Sequence, residues 1–200
     1  MRTVVLILLC LLLQTRLFAQ QPSATPADFY KRLASAAVTL TRDDVVYDPS
    51  YFRIAYPNGD VPAGKGVCTD VVIRAYRKLN IDLQQLVHED MKANFDVYPK
   101  RWGLRTTDTN IDHRRVPNLM TFFGRKGKTL SSSKNAIDYL PGDIVTWDLG
   151  RGITHIGLVS DQRTADDARY LIVHNIGAGQ VLADCLFEFS ITGHYRYHHE

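Results

Sequence analysis

The sequence predicts an α+β fold in which helices come first and an antiparallel β-sheet follows. Residues 27–40 carry apolar side chains at helical spacing. From Pro141 onward the pattern changes to short strand-like runs separated by turn signals. Helices followed by strands, rather than a regular alternation of the two, are typical of an α+β domain.

The region before Cys68 predicts one helix and an extended segment. Residues 27–40 form the predicted helix, and Asp28 can cap its start. Residues 45–57 alternate like two short extended pieces, and Asp48 and Pro49 break the run between them.

Three further helices are predicted in the middle of the chain. Cys68 opens the first, which runs to Leu79 and is ended by Asn80; the second covers residues 82–94. In the third, Pro117 suits the first turn and Gly124 suits the end.

The last third of the chain predicts four strands. They are DIVTWDL, THIGLVSD, RYLIVHN and GHYRYHH. The first two are joined at a Gly-Arg-Gly turn, so we expect a hairpin that places His155 near the beginning of its returning strand. From there His155 can reach Cys68 across the junction of helix and sheet.

The N-terminus predicts an exported protein. Residues 1–19 have the charged start, the apolar run and the small-residue cleavage point of a signal peptide. The apolar run is too short for a membrane span, which needs roughly 20 residues. We therefore expect no stable membrane anchor after cleavage, and a mature protein in the periplasm or outside the cell. Residues 20–27 are predicted as a flexible leader and residues 28–200 as one domain.

The charge balance argues against two classes of partner. Removal of the predicted signal peptide takes away Arg2 and Arg16 and lowers the formal net charge from +3 to +1. Such a balanced chain has no basic footprint for nucleic acid and no polybasic patch for anionic membranes. The sequence makes no prediction about oligomeric state.

A thiol followed later by imidazoles suggests nucleophilic catalysis. The start of a helix favours negative charge, and a nearby imidazolium would favour the Cys68 thiolate further. His155 is the candidate base, and His174 or Asn175 could hold the other nitrogen of its ring. These two neighbours lie on opposite faces of a strand, and the residues alone do not rank them.

Cys185 leaves two interpretations open. Exported proteins can form disulfides, so a structural bridge between Cys68 and Cys185 is one alternative. Cys185 also lies between apolar residues in LADCLFEF, which favours a small buried hydrophobe.

A polar segment, NIDHRRVPN, comes immediately before the helix that contains Pro117. One interpretation is a helix cap with solvated arginines. The other is a substrate clamp formed with Asp112 and His113, in which Arg114 or Arg115 pairs with carboxylates of a peptide.

Several motifs, in order, carry a resemblance to a known superfamily. They are GVCTDVVIRAYRKLNIDLQQLVHEDM, NIDHRRVPNLMTFF, PGDIVTWDLG, THIGLVSD, IVHNIGAG and GHYRY. The chain resembles the NlpC-type papain-like hydrolases of bacterial cell walls, and more closely an uncharacterised bacterial exported family grouped with them.

The resemblance implies a fold, a site and a reaction. It implies a papain-like fold in which Cys68 is the nucleophile, His155 the base and His174 the polar third member. Tyr56, about a dozen residues before the cysteine, would bind the substrate carbonyl or its oxyanion. The implied reaction is hydrolysis of amide bonds in peptidoglycan stem peptides or their fragments, with no metal or organic cofactor.

One departure from the superfamily pattern concerns the substrate. The cysteine is usually followed by a small hydroxyl residue and glycine, whereas here Thr69 and Asp70 follow. The Asp70 carboxylate could repel an anionic substrate or bind a cationic group. Two other functions stay open: a binding or scaffold protein with an idle thiol, and a thiol acyltransferase or esterase acting on another substrate.

Overall fold

A computed structural model describes residues 25–199 of the chain. The predicted signal peptide over residues 1–19 lies outside the described residues, as do residues 20–24 of the predicted leader. Within the described part, helices pack on an antiparallel sheet, which confirms the α+β prediction.

The helices follow the predicted order with shifted ends. They are α1 (Pro26–Thr39), α2 (Cys68–Arg77), α3 (Leu83–Ala93) and α4 (Val116–Lys126). Short 3-10 turns connect several of them, including Asp112–Arg114 just before α4.

The first helix begins earlier than the sequence indicates. Thr25, not Asp28, is its N-cap: the Thr25 hydroxyl accepts the backbone N–H of Asp28, and the Asp28 carboxylate accepts the backbone N–H of Thr25. This reciprocal pair is a capping box. The boundary predicted for the flexible leader therefore falls inside α1.

The other helix ends follow local backbone chemistry. Asn80 adopts a positive φ of 62° shortly after α2, which agrees with its predicted role as a terminator. Asp82 caps α3 by accepting the backbone N–H of Gln84. The end predicted for α4 at Gly124 is wrong, because the helix continues to Lys126 and Gly127 is its C-cap.

The large sheet has six antiparallel strands in the order β3-β8-β4-β5-β6-β7. They are β3 (Lys128–Thr129), β4 (Ile144–Asp148), β5 (Thr154–Arg163), β6 (Tyr170–His174), β7 (Val181–Ala183) and β8 (Ser190–Arg196). The β4–β5 hairpin is the predicted one and pairs His155 with Trp147. The short edge strands β3 and β7 were not predicted.

A second, two-stranded sheet lies beside the start of α2. Strand β1 (Val46–Tyr47) pairs in parallel with β2 (Lys65–Gly66), so that Tyr47 is opposite Gly66. The second extended piece predicted in residues 45–57 is not a strand.

The six-stranded sheet has an apolar cluster on each face. On the helix side, α1 and α2 pack against β5, and Val71, Val72 and Tyr76 meet Ile156 and Leu158. The opposite face is covered by a second cluster, which we call the rear cluster. Its members are Tyr139, Val145, Trp147, Val159, Ile172, Cys185 and Leu186.

Over residues 25–199, the helices are all too short or too polar to cross a lipid bilayer.

Candidate active site

Cys68 is the first residue of α2 and lies against β5. Cys68 is buried, with 6% of its surface exposed. The backbone N–H of Ile156 lies close enough to hydrogen-bond to the Cys68 sulfur, as do the N–H groups of Cys68 and Thr69 at the start of the helix. Ile156 directly follows His155, so Cys68 lies against the part of β5 that carries His155, whose own ring lies beside Trp147 with the ring centroids 5.8 Å apart.

The His155 ring is held at its Nε2 atom by His174. The Nε2 atom of His155 lies 2.9 Å from Nδ1 of His174, and both residues are buried. No hydrogen bond joins Cys68 to the His155 ring among the described residues. Within residues 25–199, Nδ1 is the ring nitrogen of His155 that has no hydrogen-bond partner.

The structure distinguishes between His174 and Asn175 as partners of His155. His174 ends β6 and reaches the His155 ring, whereas the Asn175 side chain turns away to the backbone. Its Nδ2 donates to the Gly66 carbonyl at 3.4 Å, and its Oδ1 accepts the N–H of Gly177. Asn175 therefore fixes the loop after β6 to the segment that leads into Cys68.

Burial keeps the thiol and the imidazole neutral. It raises the pKa of Cys68 to about 12, more than the nearby backbone N–H groups lower it, and the charge of Asp70 raises it further. Burial likewise lowers the pKa of His155 to about 3, with a further lowering from His174. The expectation that the helix start produces a resting thiolate is therefore wrong, because desolvation outweighs the local dipoles.

Asp70 and Arg114 form a buried ion pair next to the nucleophile. Arg114 donates through Nε to Oδ1 of Asp70 at 3.0 Å and through Nη2 to Oδ2 at 3.1 Å. Asp70 also accepts the N–H of Val67 at 2.7 Å, and Arg114 donates to the Ser50 carbonyl at 3.1 Å. Both side chains are thus engaged inside the protein, and neither is free to select a charged substrate.

Asp112 and His113 are also turned inward. Asp112 accepts the N–H of Asp108 at 2.7 Å and lies 3.0 Å from Nδ1 of His88. His113 is 2% exposed, and burial followed by the charge of Arg114 lowers its pKa to about 3. The segment predicted as a cap or clamp is a buried link among α2, α3 and α4.

Tyr47 pairs with the segment that leads into Cys68, whereas Tyr56 packs on α3. Tyr56 packs edge-on against His88 on α3, with ring centroids 5.2 Å apart. Tyr47 is opposite Gly66, two residues before Cys68. Burial and then the charges of Cys68 and Asp70 raise the pKa of the Tyr47 phenol, which places it within electrostatic reach of the thiol.

Cys185 is buried, as one interpretation predicted, and it is not bonded to Cys68. Both cysteines are free. The Cys185 sulfur lies 3.7 Å from Nε2 of His174, on the side of that ring away from His155. The alternative in which a disulfide joins the two cysteines is therefore contradicted.

Within residues 25–199, no group of three His, Cys, Asp or Glu residues is arranged to hold a metal ion. Near the C-terminus, His194 hydrogen-bonds to the Asp143 carboxylate and to the Ser131 carbonyl.

Fold and site together define an α+β protein with a buried thiol at a helix start beside a pair of hydrogen-bonded histidines. The chain belongs to the family described as "Domain of unknown function (DUF1287)", whose model matches residues 34–197. It is 53% identical over 165 residues to "Uncharacterized protein YijF" of Escherichia coli (strain K12). The aligned region covers 82% of this chain and 80% of the relative. No solved structure matches the chain.

Proposed function

We propose that this protein is an exported cysteine amidase or endopeptidase of the papain-like, NlpC-type superfamily. Its proposed substrates are amide bonds in the stem peptides of peptidoglycan. The observation that carries the proposal is the hydrogen-bonded pair His155–His174 at 2.9 Å, on the strand against which Cys68 packs one residue further along, at Ile156. We assign Cys68 as the nucleophile, His155 as the base and His174 as the group that orients the base.

The proposed reaction starts from the neutral pair. His155 accepts the Cys68 proton at Nδ1 as the sulfur attacks the amide carbonyl carbon, so charge appears only during bond formation. The protonated His155 then gives its proton to the leaving amine as the carbon–nitrogen bond breaks. Water attacks the resulting thioester with His155 as base, which releases the carboxylic acid and restores the thiol.

Oxyanion stabilisation is assigned to groups at the start of α2. The N–H groups of Cys68 and Thr69 point towards the sulfur region, and the Tyr47 phenol lies across the β1–β2 ladder from it. Donors fixed in a water-poor site stabilise a developing negative charge without having to reorganise. We therefore propose Tyr47 for the role that the resemblance implies for Tyr56.

The substrate class is supported by the resemblance rather than by a bound molecule. The quoted motifs resemble those of cell-wall hydrolases, and the predicted signal peptide would deliver the protein to the compartment that contains peptidoglycan. The near-neutral mature chain has no basic surface excess that would favour nucleic acid.

Digestion of purified sacculi tests the proposal. Wild-type protein should release fragments with new amine and carboxyl termini, and mass spectrometry of the fragments identifies the bond. Cys68→Ala should release none while keeping the wild-type melting temperature within a few degrees. Identical fragment profiles for the two proteins would rule out peptidoglycan hydrolysis as the function of this protein.

One observation favours a second candidate, a binding protein whose thiol is idle. Cys68 is buried, and burial holds its pKa at about 12, which disfavours a free thiolate. An idle thiol predicts that His155→Gln leaves the alkylation rate of Cys68 unchanged at neutral pH. An active pair predicts that this variant reacts more slowly, because the proton has lost its acceptor.

A further inference from the structure

Cys185 touches the outer nitrogen of the histidine that orients the base. Its sulfur lies 3.7 Å from Nε2 of His174, while Nδ1 of the same ring lies 2.9 Å from Nε2 of His155. Three side chains, His155, His174 and Cys185, are therefore joined in that order across β5 and β6. The proposed mechanism uses the two histidines together with Cys68 and leaves Cys185 without a role.

The direction of hydrogen bonding along these side chains determines whether His155 can act as a base. A neutral imidazole has one N–H donor and one acceptor nitrogen. If His174 carries its proton on Nε2, its Nδ1 accepts from Nε2–H of His155, and Nδ1 of His155 is free to take the Cys68 proton. If His174 carries its proton on Nδ1, the order reverses, and Nδ1 of His155 already holds a proton.

The arrangement in which His155 can act as a base has the proton of His174 on Nε2, and this N–H group requires a hydrogen-bond acceptor. Cys185 is the hydrogen-bond partner found at that nitrogen, and its neighbours in the rear cluster are apolar. Thiol sulfur is a weak acceptor and its S–H is a weak donor, so the thiol tolerates an apolar pocket better than a hydroxyl does. A buried N–H without any acceptor costs free energy, and the sulfur removes part of that cost.

We propose that Cys185 is a positioning residue that accepts the Nε2–H of His174 and so keeps His155 in the tautomer that can receive the proton of Cys68. The inference rests on the proposed function, since it deepens the role of the same site. Cys185 orients the histidines but supplies no negative charge, because burial raises its pKa to about 12 and keeps the thiol neutral.

Substitution at Cys185 gives two readouts that need no substrate. In protein labelled with ¹⁵N-histidine, NMR should show wild-type His155 and His174 both protonated at Nε2, with assignments from His155→Gln and His174→Gln. Cys185→Ala should populate the opposite tautomers. Alkylation of Cys68 by iodoacetamide, followed by peptide mass spectrometry, should slow roughly tenfold, the lower end of the effect known for outer partners of metal-bound histidines.

Two matched variants separate positioning from packing. Cys185→Ser keeps an acceptor at nearly the same size, so its Cys68 alkylation rate should stay within about threefold of wild type, on the scale of one modest hydrogen bond. Val159→Ala makes a cavity in the same rear cluster without touching His174, and it should lower the melting temperature with no change in tautomer or alkylation rate.

The outcomes distinguish this inference from the proposed function. Unchanged tautomers and alkylation in Cys185→Ala, or a wild-type His155 protonated at Nδ1, would overturn the positioning role. A tautomer shift in Cys185→Ala combined with no digestion of sacculi by wild type would support the positioning role and remove only the proposed substrate.

Discussion

Arg114 and Asp70 form a two-point ion pair that ties the start of α2 to the turn before α4. The two side chains are nearly fully buried and come from positions 44 residues apart. Asp70 also accepts the N–H of Val67, the residue just before Cys68. The pair therefore fixes the start of α2, and with it the direction of the thiol.

Removing Arg114 should be strongly destabilising. Arg114→Met leaves the Asp70 carboxylate buried without its cation, and such a loss typically costs about 3–5 kcal/mol. Urea denaturation of wild type and variant measures the change in free energy of unfolding. Arg115→Met is the matched control: Arg115 is only partly buried and stacks on the exposed Trp102, so we expect a much smaller loss.

The double variant Asp70→Asn with Arg114→Met tests the cause. An asparagine side chain still provides an oxygen for the Val67 N–H but leaves no buried charge. We expect it to recover most of the stability lost in Arg114→Met. If the double variant loses as much free energy of unfolding as Asp70→Asn and Arg114→Met lose together as single variants, the two residues do not act as a unit.

Removing the phenol hydroxyl of Tyr47 and removing that of Tyr56 should have different effects on activity. Tyr47→Phe removes a phenol within electrostatic reach of Cys68, and we expect kcat on sacculus fragments to fall by roughly 100-fold, the scale of one lost oxyanion donor. Tyr56→Phe, whose ring packs against His88, should stay close to wild type. The reverse ranking would return the role to Tyr56.

The comparison of these tyrosines shows which parts of the site could be predicted from sequence. The Cys68 helix and the His155 hairpin are local features, and their spacing and turn residues were sufficient to predict them. The contact between Tyr47 and the Cys68 region depends on a parallel ladder of only two residues per strand, formed across a loop. Such a short pairing leaves no periodic pattern in the sequence.

Other misses have the same physical origin in tertiary contacts. Asp70 was expected to act on the substrate and Arg114 to be a solvated arginine or part of a substrate clamp, because nothing in the sequence marks two residues 44 positions apart as partners. Gly124 looked like a helix end, since glycine costs about 1 kcal/mol inside a helix. The burial of Phe122 and Phe123 on the core carries α4 past it.

Acid should destabilise the fold through its buried histidines. The pKa of both His155 and His113 is lowered to about 3 from an ordinary 6.5, mainly by burial. Between these values the unfolded chain binds protons that the folded protein does not, so stability present above pH 6.5 is lost as the pH falls towards 3. Each histidine can contribute up to about 1.4 kcal/mol per pH unit in that window.

Urea denaturation at a series of pH values from 7 to 4 measures this dependence. His155→Gln removes one titrating group, so its stability should fall less steeply with decreasing pH than that of wild type. A variant with the same slope as wild type would mean that His155 is protonated in the folded protein as readily as in the unfolded chain.

Gly157 should be indispensable for the contact between His155 and His174. It lies in β5 close to β6, where an added Cβ would be 2.7 Å from Cγ2 of Ile172, 3.0 Å from the Val173 carbonyl oxygen and 3.2 Å from Cβ of His174. Gly157→Ala must therefore displace β6, and overpacking of this kind typically costs about 1–3 kcal/mol. Because His174 ends β6, the displacement should also loosen its hydrogen bond to His155.

A second glycine provides the control for Gly157→Ala. At Gly124 in α4 the nearest atom to an added Cβ is 3.8 Å away, which is ordinary contact. Gly124→Ala should raise the free energy of unfolding by up to about 1 kcal/mol through helix propensity and leave Cys68 alkylation unchanged. Gly157→Ala should lower both stability and alkylation rate, because β6 holds the residue that orients the base. A Gly157→Ala protein that unfolds more easily but alkylates Cys68 at the wild-type rate would separate packing of β6 from the reactivity of the thiol.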